Sequence, residues 1–246
     1  MQMLELTSNL EIIVCQIRNE HPTMALKSMY TMIKPQGIGR DKFMELCKEK
    51  GYGGIKRYKP IRTTDSTGVK RFENMLIGLE ITGINQVWSS DITYYKVEDE
   101  VFYLTFIIDN YSRLIVGWST STNLTTEDTT LKALKRALKE RKSVNLTGLI
   151  FHSDGGGQYY AHEFRKLIQA NGIQSSMCEY AYENGKAERI NGVIKNNYLR
   201  HWDCSNFEKL AKNVDRACYN YNMQKPHSAL KGVSPFVFEQ NLLDSY

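Results

Sequence analysis

The sequence has few cysteines and no pattern that would join them. No CxxC pair occurs, and the number of cysteines is odd, so we predict no disulfide framework. This use of cysteine indicates a reducing compartment, and we expect a cytoplasmic protein. His201 and Cys204 form an isolated pair without a second pair, so we do not expect structural zinc. The five cysteines are Cys15, Cys47, Cys178, Cys204 and Cys218.

Long apolar runs are also missing. No stretch of 18 apolar residues and no basic-then-apolar leader occurs, so we expect neither a membrane span nor a signal peptide. Internal repeats and low-complexity segments are not evident. The 246 residues are 41% hydrophobic, which is enough for one large domain or two small ones.

Positive charge is concentrated in one part of the chain. The formal net charge is only +5, yet residues 27–71 contain twelve Lys or Arg against four acids. The remainder is therefore close to neutral. A basic arm joined to a near-neutral body favours contact with nucleic acid.

The first 62 residues have the pattern of a small helical domain. Helical spacing over residues 1–20 is broken by Pro22. Thr23 is then expected to cap a second helix, and a third follows a glycine turn and ends at Gly51. Together with its basic tail, this is the helix-turn-helix pattern of DNA-binding proteins, although an ordinary helical hairpin has the same spacing. The candidate DNA contacts are Arg40, Lys42, Lys56 and Arg57.

A polar segment at 63–84 is predicted to be a linker with a short amphipathic piece at 72–79. From residue 85 the pattern changes to strands. Three runs with short connections predict an antiparallel meander, followed by a helix that opens at Thr125. A fourth strand, a helix, a fifth strand, a helix at 182–198 and a helix at 206–223 complete the core at 85–225. The tail at 226–246 is predicted to be irregular. Trp88 and Trp118 are expected in the core rather than as base-stacking residues.

The stretch from Gly148 to Tyr160 places an acid beside a glycine turn. A short apolar strand ends at His152-Ser153-Asp154, and three glycines follow. The carboxyl edge of a buried strand is where open α/β sheets hold ligands. The alternative is that Asp154 only caps the turn, since Asp is a common turn residue. His152 and Gln158 either orient this acid or DNA, or are purely structural.

Two further acids favour a ligand site at Asp154 over a role as a turn cap only. Asp91 lies within the first strand and Glu188 near the start of the helix at 182–198. In a mixed sheet with this strand order the first and fourth strands are neighbours, so Asp91 and Asp154 can meet on one edge with Glu188 brought in by the helix. Carboxylates gathered in this way stay ionised only with cations among them, and hard oxygen ligands favour Mg²⁺ or Mn²⁺. Lys195 lies two turns after Glu188, and Gly192 leaves that helix face bare between them.

Several motifs occur in an order that resembles one family. VWSSDITY, HSDGGGQY and YENGKAERINGVIKNNYL, with the tail YNMQKPHSALKGVSP, resemble bacterial insertion-sequence transposases of the DDE, retroviral-integrase-like superfamily. The resemblance implies a ribonuclease H-like α/β fold, with a mixed five-stranded sheet flanked by helices. It also implies cleavage at the ends of a mobile element, strand transfer into target DNA, and two Mg²⁺ or Mn²⁺ ions on Asp91, Asp154 and Glu188.

The same resemblance implies further partners and contacts. Lys195 is expected to contact the terminal DNA backbone. Beside what the resemblance implies, Arg189 is a candidate DNA contact, and Asn191 either contacts DNA or caps the helix. The chain is expected to form a homo-oligomer on DNA in the bacterial cytoplasm, associated with the nucleoid, and to work with a helix-turn-helix segment from an upstream frame. One departure is that 33 residues separate Asp154 from Glu188, two fewer than the family pattern. The shortening is expected in the loop around Cys178–Tyr182.

Two alternatives share parts of this pattern. A ribonuclease H-type nuclease would have the fold and the acids but would not need the basic helical arm. A non-catalytic DNA-binding regulator derived from a transposase would not need all three acids. A tyrosine or serine recombinase is disfavoured, because no spaced Arg and His set surrounds a tyrosine nucleophile.

Overall fold

The computed structural model describes residues 2–53, 72–178 and 181–244. The strands are β1 (Val87–Val97), β2 (Glu100–Asp109), β3 (Ile115–Ser121), β4 (Ile150–Ser153) and β5 (Gln174–Met177). The helices are α1 (Gln2–Glu20), α2 (Leu26–Ile33), α3 (Arg40–Glu49), α4 (Thr130–Glu140), α5 (His162–Ala170), α6 (Gly185–Asn197), α7 (Phe207–Met223) and α8 (Pro235–Leu243). No described helix has both the length and the hydropathy needed to cross a bilayer.

The strands form one mixed sheet in the order β3-β2-β1-β4-β5. The first three pair antiparallel as the predicted meander, and β4 pairs parallel with both β1 and β5. The predicted five-stranded sheet, with its first and fourth strands side by side, is therefore confirmed.

Each face of the sheet is covered by a different pair of helices. On one face α4 and α5 pack over a core that includes Trp88, Leu134, Phe151 and Phe164. On the other, α6 and α7 pack over the second core, whose largest members include Phe106 and Tyr198. Trp88 is fully buried, as expected, whereas Trp118 is partly exposed and stacks on Arg136.

Gly117 on β3 lets α4 approach the sheet closely. A Cβ added to it would lie 2.9 Å from Ala137 Cβ and closer still to the backbone oxygen of Ala133. Only glycine fits this contact without displacing the helix.

The N-terminal helices have their own small core and are bonded to the rest of the chain. Val14, Met29 and Phe43 are among its buried residues. At the end of α1, Glu20 accepts two hydrogen bonds from the Arg216 guanidinium, at 2.9 and 2.6 Å. Nearby, Trp202 Nε1 donates to the Asn19 carbonyl at 3.0 Å, and His21 hydrogen-bonds Tyr198 and Gln224, each at 3.1 Å.

Several predicted boundaries were wrong. The α2 helix is preceded by Ala25, which makes no side-chain cap, and not by Thr23. The α4 helix begins five residues after Thr125, because residues 125–129 form a turn in which Thr125 Oγ1 donates to Asp128. The α6 helix begins at Gly185, and a 3₁₀ turn occupies the positions before it.

The C-terminal tail and the segment before β1 also differ from expectation. Residues 235–243 form a helix, because Ser234 caps the Val237 amide at 3.4 Å and proline occupies the first turn. The predicted amphipathic piece at 72–79 forms turns, which pack on β5 through a 3.0 Å bond from the Met75 amide to Ser176 Oγ. The earlier part of the predicted linker lies outside the described residues.

Candidate active site

The parallel pairing of β1 and β4 sets Asp91 beside Asp154. Ser90 is aligned with Ser153 at the last paired position, and the two acids come next on their strands. Paired strands lie about 4.8 Å apart. Side chains alternate along a strand, so both acids point away from the face of Trp88 and Phe151 and towards α6.

Two asparagines fix α6 against β1 and thereby place Glu188. Asn184 Nδ2 donates to the Ser90 carbonyl at 2.9 Å, and Asn191 Nδ2 donates to Asp91 Oδ2 at 2.8 Å. Glu188 lies one turn after the first and three residues before the second, on the same edge of the helix. Its side chain is exposed, and its charge acts on Asp91.

Electrostatic interactions also connect Asp91 with the other two acids. Burial raises the pKa of Asp91 to about 7, with further contributions from the charges of Asp154 and Glu188. Burial also raises the pKa of Asp154, and the Gly156 amide, 3.1 Å from Asp154 Oδ1, partly opposes this effect. The structure therefore brings the three predicted acids into one neighbourhood, in which the charges of Asp154 and Glu188 oppose the ionisation of Asp91.

The donor set fits a hard divalent cation. It consists of carboxylate oxygens whose mutual repulsion a cation would relieve. Among the described residues, no three His, Cys, Asp or Glu side chains are already gathered at the spacing of a closed metal site. The acids are thus neighbours around an open edge of the sheet and not a finished ligand cage.

Three buried amides hold the segment of β1 that carries Asp91. In addition to Asn184 and Asn191, Asn110 Nδ2 donates to Ser89 Oγ at 2.8 Å. All three leave their Oδ1 atoms buried without a hydrogen-bond partner among the residues that the structure describes. Consecutive residues of β1 are therefore each fixed by an amide from a different turn or helix position.

Tyr159 adds a fourth bond to this segment, because its hydroxyl lies 2.9 Å from Ser90 Oγ. Sequence reasoning missed Tyr159 and Asn110 as parts of the site. Tyr159 is the last residue of the HSDGGGQY motif, and this position could have identified it as part of the site. For Asn110, at the end of β2, only its polarity after an apolar strand stood out.

Lys195 and Gly192 lie along the same helix edge. Lys195 Nζ donates to Thr93 Oγ1 at 2.6 Å and lies 5.5 Å from the centre of the Tyr94 ring. Burial, reinforced by Arg200, lowers its pKa. A Cβ added to Gly192 would meet only the Asn196 side chain, at 3.8 Å, so packing does not require glycine there.

The other predicted DNA contacts differ in their exposure and in their ion pairing. Asn191 is only 5% exposed, whereas Arg189 is exposed without a hydrogen bond or ion pair to any described residue. Arg40 and Lys42 are exposed but paired with the neighbouring acids Asp41 and Glu45, each at 2.9 Å. Lys56 and Arg57 lie outside the described residues. Their roles in DNA contact stay predictions.

His152 and Gln158 are held by protein groups. His152 Nδ1 lies 2.9 Å from Ser176 Oγ, and burial lowers its pKa to about 4, so the ring is neutral. Gln158 Nε2 donates to the Leu124 carbonyl at 3.0 Å. These bonds favour the structural interpretation of both residues.

Comparison with protein families places the integrase core in the same part of the chain. Two models described as "Integrase core domain" match residues 82–182 and 171–235. Together they cover the sheet, the three acids and the helices packed on them.

Two curated relatives come from insertion elements. The uncharacterized 31 kDa protein of insertion element IS600 from Shigella sonnei is 33% identical over 239 residues, which cover 94% of this chain and 86% of that protein. Transposase InsF of insertion sequence IS3A from Escherichia coli K12 is 30% identical over 171 residues, which cover 66% of this chain and 56% of InsF. The match thus spans little more than half the length of InsF.

A solved structure shares the fold. The HTLV-2 integrase catalytic core domain, determined in complex with magnesium, superposes with a TM-score of 0.51 and 24% identity, over 63% of this chain and 95% of that domain. The mixed sheet with helices on both faces is therefore the integrase, ribonuclease H-like fold that the sequence predicted.

Proposed function

Because this chain belongs to the bacterial insertion-sequence transposases that carry an integrase core domain, we propose that Asp91, Asp154 and Glu188 are its catalytic acids. Its reaction is phosphoryl transfer on DNA: cleavage at the ends of a mobile element, followed by joining of those ends to target DNA. The observation that carries this proposal is geometric: the pairing of β1 with β4 sets Asp91 beside Asp154, and the bond from Asn191 to Asp91 holds the helix of Glu188 against them. Burial and the charges of the two other acids also raise the pKa of Asp91 to about 7. Such shifts are typical of functional sites.

The three carboxylates would hold two Mg²⁺ or Mn²⁺ ions. Ions of this kind lower the pKa of an attacking water or 3′-hydroxyl and neutralise the leaving oxygen. The chain's own part is to orient the acids: Asn191 holds Asp91, and the Gly156 amide holds one oxygen of Asp154. No covalent protein–DNA bond is required, so no tyrosine serves as a nucleophile.

The DNA strand is proposed to lie along the edge of α6 beside the acids. Lys195 supplies a cation there, Gly192 leaves the helix surface bare, and Arg189 has an exposed guanidinium with no described partner. Asn191 acts on Asp91 and not on the DNA, since its side chain is buried. The N-terminal helices are proposed to bind DNA as well, and the active form to be a homo-oligomer assembled on DNA.

A nuclease or a non-catalytic regulator is not favoured. Relatives of this chain include insertion-sequence transposases, and all three acids are present.

The decisive experiment replaces one acid. Asp91→Asn preserves the size of the side chain but removes its charge, so it should abolish Mg²⁺-dependent cleavage and joining of duplexes carrying the element's terminal repeats while DNA binding persists. Asp99→Asn, in the exposed turn between β1 and β2, is the matched control and should remain active. Joining by Asp91→Asn at the rate of the control would exclude the proposed site.

A further inference from the structure

The outer surface of α4 carries an unbroken row of lysines. Lys132, Lys135 and Lys139, with Lys142 just beyond the helix, follow one another at steps of three or four residues and are all exposed. We call these four residues the α4 lysine face. At 1.5 Å per residue, the row is about 15 Å long.

The two arginines of this region are used by the fold, and the lysines are not. Arg136 lies 3.4 Å from the centre of the Trp118 ring and donates to Asp215 at 3.0 Å. Arg141 donates to both carboxylate oxygens of Glu239, at 2.7 and 2.8 Å. The side chains of the four lysines make no hydrogen bond or ion pair with any described residue.

This row has an electrostatic cost that the chain offsets only in part, because Lys139 in the last turn of α4 interacts favourably with the helix dipole. Like charges three and four residues apart on a helix destabilise it, and a lysine in the first turn opposes the helix dipole. An ordinary solvated helix face alternates its charges, whereas no acid interrupts this row. A partner with closely spaced negative charges would offset the repulsion.

The α4 lysine face is on the side of the sheet opposite the acids. The α4 helix packs on the face that contains Trp88, while Asp91 points towards α6 on the other face. The lysines therefore lie in the opposite outer layer of the fold from the helix that flanks the acids.

We propose that the α4 lysine face binds the phosphate backbone of a second stretch of duplex DNA, without reading its sequence. Duplex DNA carries a charge about every 1.7 Å along its axis, so 15 Å of lysines can meet several phosphates. This inference rests on the proposed function in one respect: a protein that joins two DNA segments must also hold DNA outside the reacting ends.

The test compares two triple variants of the full chain. Lys132→Gln/Lys135→Gln/Lys139→Gln removes three charges from the α4 lysine face, and Lys166→Gln/Lys212→Gln/Lys231→Gln removes three exposed charges elsewhere. Binding to a duplex of random sequence is measured at several salt concentrations. Each lost phosphate contact should reduce the slope of log K against log salt by about 0.9, so the first variant should lose about 2 to 3 from the slope and the control much less.

A second measurement needs no variant. Acetylation of the wild-type protein with and without the same duplex, followed by mass spectrometry, should show protection of the α4 lysine face by DNA. Equal slopes for the two variants, or no protection, would overturn the proposal. So would a change in oligomeric state without a change in slope, which would make the row a protein interface. Asp91→Asn tests the catalytic site separately and should bind with the wild-type salt slope.

Discussion

Replacing Asn191 by alanine separates the DNA contact predicted from the sequence from the support of Asp91 proposed from the structure. The substitution removes the 2.8 Å hydrogen bond to Asp91 Oδ2 and leaves that carboxylate free to turn. A hydrogen bond to a charged group contributes about 1.5–3 kcal/mol. If that amount is lost from the transition state, joining slows by about 10- to 150-fold, since each 1.36 kcal/mol is a factor of ten.

The assay is single-turnover joining of pre-cleaved ends at saturating DNA, with DNA affinity measured in parallel. We expect a slower rate, a higher Mg²⁺ requirement and unchanged affinity, because a side chain that is 5% exposed does not reach the DNA. Asn197→Ala, on the same helix but without a bond to Asp91, is the control. A variant with weakened DNA affinity and a normal joining rate at saturation would refute the positioning role.

Two further predictions concern the stability of the fold. Gly117→Ala should lower the free energy of unfolding by about 1–3 kcal/mol, because the new methyl group would press against Ala133 and Ala137; an unchanged urea midpoint would contradict the close packing of α4. Burial, Lys225 and Arg113 lower the pKa of His227 to about 3 from an unfolded value of 6.5. The fold therefore favours neutral His227, and protonation of this residue favours unfolding. The contribution of His227 to stability is complete above about pH 6.5 and is lost as the pH falls towards 3. When the pH is lowered from about 7 to about 4.5, the urea midpoint of His227→Asn should fall less than that of the wild type. If the two midpoints fall by the same amount, His227 does not titrate as described.

The sheet was predictable because its signals are local. Apolar runs with short connections identified β1, β2 and β3, and the strand order put β1 beside β4. Asp91 and Asp154 could be paired for the same reason, since each marks a position on an identifiable strand.

The boundaries and the supporting residues were harder to predict. The α4 start was placed too early because Thr125 has the composition of a cap but bonds within its own turn. The bond of Tyr159 to Ser90 and that of Asn110 to Ser89 join residues far apart in sequence, and no spacing rule connects them. For α8, the Ser-Pro start was present in the sequence and was wrongly assigned to an irregular tail.

The bonds at the end of α1 have a consequence for the distance along DNA between a bound sequence and the position of cleavage. Glu20 and Arg216 fasten the N-terminal helices to the layer that carries Glu188, so the offset between the two is a fixed dimension of the chain. If the N-terminal helices grip a short DNA sequence, the protein acts as a ruler that sets how many base pairs separate that sequence from the cut. Adding one base pair would rotate the scissile bond by about a tenth of a turn, away from the acids.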